Sequence, residues 1–206
     1  MLPPADYLEH FNQTLFLALN APHDLSPFML AATTFCADYV IFIVPLALVW
    51  LWLRDETVKR GGMVVAVLAS QIGLFINQLI PYIWVHPRPS AIPLGNTLIA
   101  HAADSSFPSD HVTFMTAITL GLWLYAKHRP AAIFTGSLTI VVAWARIYAG
   151  VHFPLDMIGA GGVALVSVVA VRPLESWIVD VVMPMLFMPL YRLIFAWPIR
   201  HGWCRP

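Results

Sequence analysis

Residues 112–148 read VTFMTAITLGLWLYAKHRPAAIFTGSLTIVVAWARIY. Two apolar runs, Val112–Ala126 and Ala131–Tyr148, flank a basic break at Lys127 and Arg129. Crossing a bilayer takes about 20 apolar residues as a helix, and in hydrocarbon a helix satisfies its own backbone. The stretch therefore reads as a transmembrane hairpin. Its first arm is short and lengthens if the helix begins at Ser109. Working outward, Phe28–Leu53, Gly62–Trp84 and Phe153–Val171 qualify as further spans. Ahead of them, Leu8, Phe11, Leu15, Phe16 and Leu19 fall near one face of a helix over Tyr7–Asn20, an interfacial helix rather than a span. Behind them, Trp177–Trp197 is apolar but interrupted by Pro184, Pro189 and Arg192. It reads as a broken amphipathic helix lying on the membrane, with a sixth span as the alternative.

Composition agrees. Apolar residues make up 59% of the 206-residue chain and charged residues 11%, against a soluble average of about 25%. A soluble domain of this size needs more charge to cover its surface. The fold class expected is all-α, a polytopic transmembrane helix bundle of five to six spans with an N-terminal interfacial helix and a C-terminal amphipathic helix. Residues 1–206 form one domain. Net charge is zero, so nothing points to nucleic acid. Cys36 and Cys204 imply no disulfide framework, and Met1–Glu9 lacks the basic region of a cleavable signal peptide. Nine of the eleven Lys and Arg residues (Arg54, Lys59, Arg60, Lys127, Arg129, Arg172, Arg192, Arg200 and Arg205) fall on one side, which the positive-inside rule makes cytoplasmic. Arg88 and Arg146 lie on the other.

Three polar clusters gather on that opposite side: His86-Pro87-Arg88-Pro89, Pro108-Ser109-Asp110-His111, and Arg146 with His152 and Asp156. The second opens a helix, where free N–H groups and a positive dipole end suit an anion; it is otherwise a capped terminus with a surface His. In the third, Pro154 suits a first helical turn and Asp156 lies four residues from His152, on one helix face. Asp156 is then placed to accept one ring N–H, leaving the other nitrogen free to attack; the plain alternative is a structural His–Asp pair. Gly150 permits a tight turn from Arg146 to His152. Guanidinium forks at Arg88 and Arg146 match phosphate oxygens in pairs. The connection from His86 to Pro108 is long enough to be a functional loop.

These motifs, Arg88-Pro89, Pro108-Ser109-Asp110-His111 and Arg146-(five residues)-His152-(three residues)-Asp156, resemble the tripartite signature of the type 2 phosphatidic acid phosphatase superfamily. Within it, residues 101–111 and the ending Pro198–Trp203 are similar to the bacterial undecaprenyl-diphosphatases linked to bacitracin resistance. The resemblance implies His152 as phosphate-accepting nucleophile, Asp156 as its orienting partner and His111 as general acid. Arg88, Ser109 and Arg146 would bind phosphate, with Asp110 beside them as a mark of the subgroup. It implies no metal and no cofactor. The partners implied are a polyprenyl diphosphate lipid and the bilayer, with a homodimer as the candidate assembly. The site would face the periplasm from a bacterial inner membrane. Glycerolipid phosphates are the competing substrates. A transporter and a metalloenzyme built on His111, His152 and Asp156 are the competing classes, but the five spans show no repeat and no His-rich helical pair appears. Three positions depart from the family pattern: Pro81 replaces a Lys, Asp110 a Gly and Ala145 a Ser. His86 and His101 are the candidates to replace the lost cation, each otherwise an ordinary loop histidine.

Overall fold

A computed structural model describes residues 4–102 and 104–206. Among them the chain is helical, with a single β-bridge between Pro87 and Ser105. Helix α1 spans Pro4–Leu19, α2 Pro27–Arg54, α3 Thr57–Leu79, α4 Asp110–Leu124, α5 Arg129–Tyr148 and α6 Pro154–Val171. Among the described residues, four helical runs are long and apolar enough to cross a membrane: Pro27–Arg54, Thr57–Tyr82, Arg129–Tyr148 and Pro154–Ile194. At 15 residues, α4 is shorter than these, yet it packs against α3, α5 and α6 at the bundle's centre.

The register of α3 against α4 fixes the site. Apolar side chains gain little by leaving lipid for one another, so membrane helices pack through small residues that let backbones approach. Helix α3 supplies Gly62, Ala66, Ala69, Ser70 and Gly73 on its buried stripe. Gly62 lies on the backbone of Tyr125–Ala126, Ala66 on Gly121, and Gly73 on Thr113. The helices therefore run antiparallel, and four further residues along α3, about one turn, bring Asn77 level with Asp110. Helix α6 closes the third side: Ser167 also meets Gly73, and the Val168 carbonyl accepts from the Tyr125 hydroxyl. Helix α2 has few buried residues and an exposed face that includes Phe42, Leu46 and Trp50, as suits a lipid-facing helix. It contains a widened π turn over Phe35–Tyr39.

The two ends of the bundle differ. Beyond α6 the chain turns at Pro173 and packs Val179 and Met183 on Gly61, at the start of α3. There Arg60 is fully buried, donating to the carbonyls of Trp52, Arg205 and Pro206 and lying 4.5 Å from the centre of the Tyr191 ring. The tail thus packs at the end opposite the polar clusters. Pro184 does not break it, contrary to the reading of the sequence. The backbone passes through in π turns over Ile178–Phe187; Pro184 donates no hydrogen bond there either, but the wider turn gives its ring room beside the carbonyl four residues before it. At the other end lies α1, with Phe16 buried edge-on against Phe153 at 5.3 Å and Asn12 accepting from the Leu155 amide.

Candidate active site

The three polar clusters converge on one cavity of about 410 Å³, lined by Arg88, Asp110, His111, Arg146 and His152 together with His101, Asp104, Asn77 and Tyr82. His152 comes from the turn between α5 and α6. Gly150 makes that turn with φ +77°, and a Cβ there would strike the Asn96 carbonyl, so the residue must be glycine. Asn20, just after α1, and Leu98 of the long loop bind the carbonyls of Tyr148 and Ala149, pinning the turn from outside.

His152 is 2% exposed. Its Nδ1 lies 3.2 Å from Asp156 Oδ2, and its Nε2 lies 3.2 Å from Arg88 Nη1. Asp156 Oδ2 also accepts the Phe153 amide at 2.7 Å, which starts α6, and the Ser106 hydroxyl. Oδ1 of the same carboxylate is buried without a hydrogen-bond partner among the described residues. Burial pushes the His152 ring below its ordinary range, to about 4; Asp156 pulls it up, while Arg146 and Arg88 push it further down. The ring is therefore neutral at physiological pH, with one nitrogen engaged on the Asp156 side and the other turned toward Arg88.

Both guanidiniums are held. Arg88 Nε donates to Asp104 Oδ1 at 2.6 Å and Nη1 to the Val151 carbonyl at 3.1 Å. Burial raises the Asp104 carboxyl, but the Arg88 hydrogen bond and charge outweigh it and leave the group below its usual value. Arg146 Nη1 donates to the Ala37 carbonyl at 3.0 Å and lies 3.4 Å from Asp38 Oδ1. Both partners belong to the π turn of α2, where the loosened backbone offers a carbonyl to a side chain.

Asp110 begins α4, accepting Asn77 Nδ2 at 2.7 Å and lying 3.4 Å from Gln78 Nε2. Its carboxylate is thus tied to α3 while still lining the cavity. Ser109 is the N-cap residue of α4, but its hydroxyl makes no cap bond and is buried with no partner among the described residues. It is not among the residues lining the cavity. Of the two spare histidines, His101 lines the cavity, with Nδ1 3.7 Å from Asp104 Oδ1. Burial, then the charges of Arg88 and Arg146, lower its pKa. His86 stands behind Asp156, outside the cavity.

The sequence reading missed Asp38, Asn77, Asp104 and Ser106. Asp38 carried a signal, being a lone acid within an apolar run. Ser106 lies within the motif-bearing segment 101–111, but nothing in its spacing marks it as a partner of Asp156.

The profile of the PAP2 superfamily matches residues 61–179. The chain is 36% identical to YbjG of Escherichia coli (strain K12), over 96% of this chain and 99% of that protein. It is 34% identical to undecaprenyl-diphosphatase BcrC of Bacillus subtilis (strain 168), over 75% of this chain and 79% of BcrC. The crystal structure of Aquifex aeolicus LpxE superposes with a TM-score of 0.61 at 26% identity, covering 79% of this chain and 95% of that one.

Proposed function

Because the chain belongs to the PAP2 superfamily, we propose that it hydrolyses undecaprenyl diphosphate to undecaprenyl phosphate and inorganic phosphate through a phosphohistidine on His152. The similarity to BcrC of Bacillus subtilis, named an undecaprenyl-diphosphatase, supports the substrate. The observation that carries the chemistry is the orientation of His152, with Nδ1 toward Asp156 Oδ2 and Nε2 toward Arg88 at the cavity.

In the first step Nε2 attacks the terminal phosphorus in line with the bridging oxygen. A P–N bond forms, the P–O bond breaks, and undecaprenyl phosphate leaves. The positive charge gained by the ring is met by Asp156. Arg88 and Arg146 offset charge on the phosphoryl oxygens, with the free amides at the start of α4 as further donors. His111 gives a proton to the leaving oxygen. It then takes one from the water that attacks phosphorus in the second step, which releases phosphate and restores the neutral ring. The leaving group is itself a phosphate, so it needs less acid assistance than an alcohol would. No step calls for a metal ion.

The site is read as facing the periplasm from the inner membrane, with α2 to α6 crossing it five times. The nine basic residues at the opposite end support this orientation. The exposed Tyr7, Leu8 and Phe11 of α1 support that helix lying at the outer interface. At about 1.5 Å per residue, the 15 residues of α4 reach about 22 Å. That is less than a hydrocarbon core of about 30 Å, so the start of α4 is sunk and forms the floor of a recessed site.

The test compares kcat/KM of purified protein in mixed micelles for undecaprenyl diphosphate, phosphatidylglycerol phosphate and diacylglycerol diphosphate, with and without EDTA. Undecaprenyl diphosphate is expected to be preferred, with no effect of chelator. A glycerolipid preferred by about tenfold, or about 1.4 kcal/mol of transition-state discrimination, refutes the substrate. Loss of activity in EDTA refutes the mechanism.

A further inference from the structure

Asp156 is held unevenly. Its Oδ2 faces the Phe153 amide, the Ser106 hydroxyl and His152 Nδ1, whereas Oδ1 is buried with no hydrogen-bond partner among the described residues. A carboxylate gripped at one oxygen pivots about it, and any pivot changes how Oδ2 meets the nucleophile. The nearby donor set against Oδ1 is His86 Nδ1, at 3.9 Å, itself buried without a partner among the described residues. That gap is longer than a hydrogen bond, and a small rotation of either group closes it.

His86 has little freedom otherwise. It is 7% exposed, its ring stands edge-on to Phe153 at 5.2 Å, and its carbonyl accepts the Ser106 amide at 2.7 Å. Its other nitrogen, Nε2, lies 3.1 Å from Glu9 Oε2 of α1. Glu9 is steadied in turn by Gln13 Nε2 at 2.8 Å, and Asn12 ties α1 to the first turn of α6 through Leu155. A cavity of about 710 Å³ runs behind the site between α1 and the long loop, with Glu9, His86 and Asp156 all on its wall.

We propose that His86, with a proton on each ring nitrogen so that it donates to both carboxylates, is a positioning residue that is anchored by Glu9, holds the second oxygen of Asp156 and so makes α1 part of the catalytic apparatus. The inference rests on the reading of His152 and Asp156 as nucleophile and partner. Its consequence is that the seating of α1, whose outer residues Tyr7, Leu8 and Phe11 are exposed, sets the geometry of the nucleophile through Glu9, His86 and Asp156.

The test uses two replacements that lose the same ring packing but keep different nitrogens. Asparagine offers a donor where imidazole Nδ1 was, toward Asp156; glutamine reaches the Nε2 position, toward Glu9. Turnover of p-nitrophenyl phosphate by the full chain in detergent reports the phosphoryl centre whatever lipid is natural, so a wrong lipid leaves the test intact. His86→Gln is expected to lose about tenfold in kcat with KM held within about twofold, and His86→Asn to keep at least about threefold more than His86→Gln. His86→Asn equal to or below His86→Gln, or wild-type kcat in both, overturns the proposal. If both variants unfold, Glu9→Ala decides. A loss of about threefold in kcat at an unchanged melting temperature upholds the proposal, and wild-type kcat overturns it. Turnover surviving in His152→Ala would instead remove the reading on which the proposal stands.

Discussion

Replacing Asp156 by Asn keeps the size and shape of a buried side chain and removes only its charge, so the loss can be worked from the site. In the ground state His152 is neutral, held there by burial, and faces Asp156 Oδ2 at 3.2 Å. On attack through Nε2 the ring becomes cationic, so the charge–charge attraction to Asp156 arises mainly in the transition state. At an effective dielectric constant near 20, such a pair about 4 Å apart is worth about 4 kcal/mol. A neutral amide retains a hydrogen bond of about 1 kcal/mol. The difference, about 3 kcal/mol, corresponds to about a hundredfold loss in kcat. The Phe153 amide still finds an oxygen, so the start of α6 and the melting temperature are expected to hold. KM is expected to move little, because the lost attraction is absent from the bound ground state. Steady-state phosphate release from undecaprenyl diphosphate measures kcat and KM together. A kcat within about threefold of wild type would mean that no positive charge develops on His152, and the phosphohistidine step would fall.

Three further outcomes are expected. Ser106→Ala removes a donor to Asp156 Oδ2, and a loss of about tenfold in kcat, at a KM within about twofold, should appear in the same assay. Gly150→Ala forces a left-handed conformation and a contact with the Asn96 carbonyl; it should cost at least about 1–2 kcal/mol, read as a lowered melting temperature in detergent. The ring of His152 has a folded pKa below its ordinary 6.5, near 4, so between those values the unfolded chain binds the extra proton and stability falls as pH falls. His152→Gln should flatten that part of the stability–pH curve, measured by thermal melts from pH 7 to pH 4.

Long-range patterning was legible in the sequence because hydropathy integrates over some twenty residues and survives local error. The helices carrying the polar clusters follow the expected runs to within a few residues, although α4 remains the shortest. Arg88, His111, Arg146 and His152 were legible as one site because His111, Arg146 and His152 lie at or beside helix ends on one side of the bundle and Arg88 follows the end of α3 on that side. What escaped depends on register or on backbone detail. The contact of Asp110 with Asn77 follows from the antiparallel stacking of Gly62, Ala66 and Gly73 on α4. The grip of Ala37 on Arg146 follows from a π turn that leaves no compositional trace. His86 and His101 looked alike as loop histidines, yet one lies behind Asp156 and the other lines the cavity.

The acidic residues explain how the fold tolerates two buried guanidiniums in one site. Arg88 and Arg146 are each nearly buried, and an unpaired buried charge is costly. Asp104 takes the Nε side of Arg88 and leaves Nη1 turned to Val151 and His152. Asp38 and the Ala37 carbonyl take Nη1 of Arg146 and leave its buried Nε without a partner among the described residues. Each acid therefore neutralises a guanidinium from one side and fixes its plane, while part of its donor set stays uncommitted. If these arginines bind phosphate as proposed, the ordering of two long side chains occurs in folding rather than on binding. In the proposed mechanism the same arrangement would limit how tightly phosphate is held, since each arginine retains its carboxylate. For an enzyme that must release inorganic phosphate each cycle, that weakening favours turnover.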